Sequence, residues 1–66
     1  MRRGARVRDE DGKLGTILGA EDFSGYERNY PGEGWQLVRW DDGVPLRTGG
    51  SIRETWRGEN HLEVVG

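Results

Sequence analysis

The sequence predicts a mainly β domain, a small barrel of five short strands, and three observations carry that expectation. Twelve glycines and two prolines in 66 residues punctuate the chain too often for long helices and supply tight turns. Apolar residues recur with a period of two in short runs, the spacing of half-buried strands. Only 32% of residues are hydrophobic and 33% are charged, so much of the core area must come from three tryptophans, two tyrosines and one phenylalanine. A single domain over residues 1–66 fits the length and the lack of internal repeats. The chain has no cysteine, which excludes a disulfide-stapled scaffold. No apolar run approaches the ~20 residues of a spanning helix, and Met1-Arg2-Arg3-Gly4 has no apolar stretch behind its charges. The expectation is a cytoplasmic domain with no membrane partner.

The first strand is expected over Ala5 to Arg8, with Val7 pointing inward and Asp9-Glu10-Asp11-Gly12 turning the chain. Leu14 to Leu18 alternates as a second strand, and Gly15 within it marks a bulge or a close backbone approach. Gly19 to Gly34 has neither strand nor helix periodicity and reads as a long loop after strand 2, rich in acids and aromatics. Trp35 to Trp40 is the strongest strand, apolar enough on both faces to be covered on both sides, and Asp41-Asp42-Gly43 after it reads as a tight turn. Val44 to Arg47 is expected to return as a short edge strand carrying Pro45. Ser51 with Glu54 has capping-box spacing and predicts one short helical turn through Trp56, stopped by Gly58. His61 to Val65 alternates as the last strand.

Gly4-Ala5-Arg6-Val7-Arg8, Gly15-Thr16-Ile17, Val38-Arg39-Trp40-Asp41-Asp42-Gly43 and the closing Leu62-Glu63-Val64-Val65 together resemble the SH3-like small β-barrel superfamily, its Tudor, KOW and mind-bomb types in particular. The resemblance spans nearly the whole chain and implies an SH3-like five-stranded barrel. Its motifs are turn glycines, core residues and a closing strand, so it implies a fold and no particular ligand. The segments Gly19 to Gly34 and Gly49 to Gly58 go beyond the shortest members.

Chemistry that needs a reactive constellation is scarce. One histidine, His61, and no cysteine leave neither a nucleophile dyad nor a zinc ligand set, and His61 on a terminal strand reads as a surface or structural residue. Asp41-Asp42 and Glu21-Asp22 are consecutive and read as turn formers, because neighbouring residues on a strand point to opposite faces. No glycine run reproduces a phosphate loop. The expectation is a protein that is not an enzyme, with no cofactor and no metal.

Surface recognition remains, in three forms. Phe23, Tyr26 and Tyr30, followed by Trp35 and interleaved with acids including Glu27 and Glu33, offer aromatic faces and carboxylates to a protein or peptide partner, a cationic one above all. The bland alternative is that these aromatics fold the loop back onto the barrel, and that Trp56 plugs the core. Arg2, Arg3, Arg6 and Arg8 instead offer a basic arm to nucleic acid, against a net charge of −2 that disfavours a phosphate-neutralising domain. The third form is an accessory or structural component of a larger assembly, such as a phage-encoded one.

Overall fold

The computed structural model describes residues 1–19, 22 and 31–66. Five antiparallel strands form one sheet in the order β4-β3-β2-β1-β5, with β1 at Arg6–Asp9, β2 at Leu14–Leu18, β3 at Trp35–Pro45, β4 at Ser51–Gly58 and β5 at Leu62–Val64. A 3₁₀ turn over Glu59–His61 leads into β5. The mainly β expectation holds. The closed barrel does not: β4 and β5 are the two edges of the sheet and do not pair with each other.

The register explains the core. Val7 pairs with Gly15 and Gly15 with Trp40, while Ile17 pairs with Val38. The period of two therefore brings Val7, Ile17, Val38 and Trp40 to one face, where they form the buried cluster, with Ala5, Val44 and Leu62 packed against it. Gly15 is the close approach its position implied. A Cβ there would lie 2.6 Å from Val38 Cγ1 and 2.9 Å from the Arg39 carbonyl, closer than real side chains come. Trp40 is held by its Nε1, which donates to Thr55 Oγ1 at 2.8 Å. Leu37 pairs with Leu18 and Trp56. It lies on the other face and is buried there as well, so the second face of β3 is covered in part, at Leu37, while Trp35 and Arg39 on that face are exposed.

Two local expectations are corrected. Asp41-Asp42-Gly43 does not turn the chain but lies inside β3, and Val44 and Pro45 continue that strand instead of starting another. Gly43 does not take positive φ, whereas Gly49 and Gly50 do, at 94° and 76°, so the hairpin turns there instead. Gly49 N donates to the Leu46 carbonyl and Leu46 N to the Gly50 carbonyl, both at 3.2 Å. Between the pairs Arg39–Glu54 and Val44–Ile52 the register shifts, and Asp41-Asp42-Gly43 forms the irregular bend. The second correction concerns Ser51 to Trp56, expected as a capped helical turn and found as most of β4. Ile52, Thr55 and Trp56 favour strands, and pairing along β3 supplies more burial than one isolated turn, whose nucleation is unfavourable. The single helical turn before the last strand falls instead on Glu59–His61.

Candidate functional site

The β1–β2 turn is built as its composition requires. Gly12 takes φ 87° and its N–H donates to the Asp9 carbonyl at 3.0 Å. Asp9 Oδ1 accepts from the backbone N–H of Asp11 at 2.9 Å and of Lys13 at 2.8 Å, an aspartate-stabilised turn.

Three of the four arginines of the basic arm are matched within the protein. Arg3 donates from Nε and a terminal nitrogen to the two oxygens of Asp22 at 2.6 and 2.7 Å. Arg6 makes the same two-pronged contact with Asp41 at 2.8 and 2.5 Å and also donates to Thr16 Oγ1 at 2.8 Å. Arg8 pairs with Glu63 at 2.5 Å. Arg2 is exposed. Register sets two of these contacts, since Arg6 lies opposite Thr16 and Arg8 opposite Glu63; Arg6, Thr16, Arg39 and Glu54 form one row across four strands, and Arg39 donates to Glu54 at 2.7 Å. The Arg3 guanidinium, aided by the Gly19 N–H and by the charges of Arg3 and Arg39, holds the Asp22 carboxyl below the usual aspartate range against partial desolvation. Arg6, with Arg53 adding its charge, does the same for Asp41, and Asp41 in turn raises Arg6.

Of the aromatic and acidic set, Trp35 and Glu33 are described, and both are exposed. Trp35 opens β3 opposite Gly58 with 43% of its surface accessible, a large exposed area for an indole. Phe23, Tyr26, Glu27 and Tyr30 lie outside the described residues. Trp56 is half-buried on the outer row with Leu37.

Two concavities flank the β1–β2 turn. One is an open groove of about 290 Å³ between the end of β1 and the 3₁₀ turn, lined by Arg8, Glu10, Asn60, His61 and Glu63 among others. Within it Arg8 pairs with Glu63, and Glu10 pairs with Arg57. His61 Nδ1 lies 2.7 Å from Glu10 Oε2, so the histidine and Arg57 tie the end of β4 and the 3₁₀ turn to the β1–β2 turn. The other is a cleft of about 120 Å³ between that turn and β4, with Asp9, Trp40, Val44, Thr55 and Arg57 among the residues that line it.

Sequence reasoning assigned Asp9 to a turn and passed over it as a site residue. The signal was present, since the period of two from Val7 places Asp9 on the buried face, where it is 9% exposed. Among the described residues no group of three or more histidine, cysteine or acidic side chains is arranged to hold a metal ion, and no helix is long and apolar enough to cross a membrane. No protein-family model, curated protein or solved structure matches this chain, so the fold and these surfaces define it as a small, one-sheet antiparallel β domain and go no further.

Proposed function

We propose that this chain is a non-catalytic binding module of the SH3-like type that recognises another protein or a peptide. The contact surface comprises the exposed Trp35 end of β3, Glu33 and the adjoining segment that carries Phe23, Tyr26, Glu27 and Tyr30. The observation that carries this reading is the exposure of Trp35, 43% accessible in a protein whose other strand tryptophans are more buried. Tryptophan is enriched among the residues that dominate interface energies. A strand order in which β5 returns beside β1 supports an SH3-like strand connectivity, here as an open sheet. The pairing of Arg3, Arg6 and Arg8 with carboxylates supports a protein partner over nucleic acid, because each such cation must leave an acid before it can neutralise a phosphate.

The test is selection of binders from a displayed random-peptide library, followed by affinity measurement on Trp35→Ala and on Tyr26→Ala with Tyr30→Ala. Folding of each variant is checked by circular dichroism. Selected peptides that lose about tenfold or more in affinity for folded Trp35→Ala support the reading, in line with hot-spot losses of ~2 kcal/mol. Unchanged affinity in Trp35→Ala overturns it, as does oligonucleotide binding that weakens steeply with salt.

A further inference from the structure

We propose that the open edge of β5 is a self-association surface, on which a second copy of this chain pairs antiparallel about a two-fold axis at Val64. Among the described residues β5 pairs with β1 alone and forms one margin of the sheet. In an antiparallel ladder the N–H and C=O groups of successive residues point alternately to the two sides of a strand. Val65 N donates to the Arg6 carbonyl at 2.9 Å, so Val65 and Glu63 direct their backbone groups at β1, while Val64 and Gly66 direct theirs outward. The same alternation turns the Leu62 carbonyl outward, whereas the Leu62 N–H is taken by the Glu59 carbonyl of the 3₁₀ turn. The open edge therefore offers the Val64 N–H and C=O, the Gly66 N–H and the Leu62 C=O.

Over Leu62 to Gly66 that set closes on itself when Val64 lies opposite its own copy. The two Val64 residues exchange both backbone hydrogen bonds, and each Gly66 N–H meets the other copy's Leu62 carbonyl. Centred instead on Glu63, the pairing sets two carboxylates directly opposite each other and points the Val64 carbonyl at the Leu62 N–H already committed to Glu59. Side chains favour the Val64 register too. Val64 pairs with Val7 and so belongs to the row that holds the buried Val7 and Trp40, yet it is 53% exposed. Contact between two Val64 side chains extends that apolar row across the seam. On the other face each Glu63, held by its own Arg8, lies beside Val65 of the other copy and not beside a second carboxylate. The opposite margin, β4, lacks this match. A two-fold axis normal to the sheet places residues of the same parity opposite each other, and the two longest such self-pairings of β4 set Arg53 against Arg57 or Glu54 against Glu54. The β5 seam is well short of the ~1,200 Å² of stable complexes, so the dimer forms and separates readily. It leaves Trp35, three strands away on β3, uncovered, and it does not rest on the peptide-docking reading.

The experiment measures sedimentation equilibrium and NMR translational diffusion of the full chain from tens of micromolar to millimolar protein. A mixture of isotope-labelled and unlabelled chain is searched for contact between the Hα protons of Glu63 in one copy and Val65 in the other, the close non-hydrogen-bonded pair of this register. The mass is expected to rise with concentration toward twice that of one chain and no further, and the contact to be present. Val64→Pro removes the outward N–H while sparing the bonds to β1, a position where a sheet edge tolerates proline, and weakens association about tenfold or more through the two lost hydrogen bonds. Folding of the variant is checked by circular dichroism. A mass that stays that of one chain at every concentration, a dimer without the Glu63–Val65 contact, growth beyond two copies, or undiminished association of folded Val64→Pro overturns the proposal. If Val64→Pro does not fold, Val64→Lys decides, since it sets two ammonium groups across the seam: weakened association supports the seam and unchanged association overturns it. Trp35→Ala leaves the dimer unchanged, so failure here and failure of the peptide-docking reading are separate results.

Discussion

Replacing Gly15 with alanine tests the packing on which both surfaces depend. The added methyl would sit 2.6 Å from Val38 Cγ1, 2.9 Å from the Arg39 carbonyl oxygen and 3.0 Å from Trp40 Cε3. Val38 and Trp40 are among the most buried residues of the molecule, and the carbonyl belongs to the paired backbone of β3. None of the three can yield without moving the sheet, so the upper part of the range for overpacking applies, about 2–3 kcal/mol. A domain this small has a total stability of only ~3–5 kcal/mol. At ~4–8 °C per kcal/mol for a domain of this size, the midpoint of thermal unfolding falls by roughly 10–20 °C. Gly43→Ala is the milder comparison, since its Cβ would meet only exposed Ser51, at 2.8 Å from Oγ, which can rotate away, and at 3.0 Å from Cβ, which a shift of a few tenths of an ångström relieves; its cost is about 1 kcal/mol. Urea and thermal unfolding followed by tryptophan fluorescence measure both. Should Gly15→Ala cost no more than Gly43→Ala, the close contact of β2 with β3 is refuted.

Three further outcomes follow from the same contacts. Thr55→Val removes the acceptor of Trp40 Nε1 while keeping the side-chain shape, and leaves a buried N–H at a cost of about 1–3 kcal/mol, read from urea unfolding. Asp41 and Asp22 have carboxyl groups held below their ordinary value of 3.8. Each favours the folded state above the unfolded-chain value and loses that contribution as pH falls through the lower folded value; Asp41→Asn therefore flattens the decline of stability below about pH 4, and added salt reduces the difference. Measured by fluorescence anisotropy, binding of a DNA or RNA oligonucleotide at low salt is weak, and the response to salt is shallow, because Arg3, Arg6 and Arg8 are matched by carboxylates.

Local pattern made some parts of the fold legible and hid others. Val7 was readable as core, and Val38 with Trp40 as one face, from a period of two, and Gly15 as a close approach from a glycine inside an alternating run; which face of Leu14 to Leu18 is buried was not, because Leu14 and Leu18 compete with Ile17. Asp9 to Gly12 was readable as a turn from its composition. The path after Trp40 was not readable, because two segments carried turn chemistry: Asp41-Asp42-Gly43 and Thr48-Gly49-Gly50. Cross-strand partners decided between them, with Arg6 and Arg53 holding Asp41 in the strand. Ser51 to Trp56 satisfied a capping pattern locally, but its strand identity came from pairing with Leu37 to Arg39 and Val44 to Pro45, information that exists only in three dimensions. The arginine arm was visible in sequence as a cluster of charge. Its neutralisation was not, because Asp22, Asp41 and Glu63 reach it from distant parts of the chain.

The central claim is the register that sets Trp40 against Gly15, lays Trp56 beside Leu37 and leaves Trp35 at the exposed end of the sheet. Cross-strand nuclear Overhauser contacts between Gly15 and Trp40, Val38 and Thr55, and Leu37 and Trp56 measure it directly. The account predicts all three, with extended-backbone signatures from Ser51 to Gly58; helical contacts between residues three apart over Ser51 to Trp56, with those cross-strand signals missing, would contradict it.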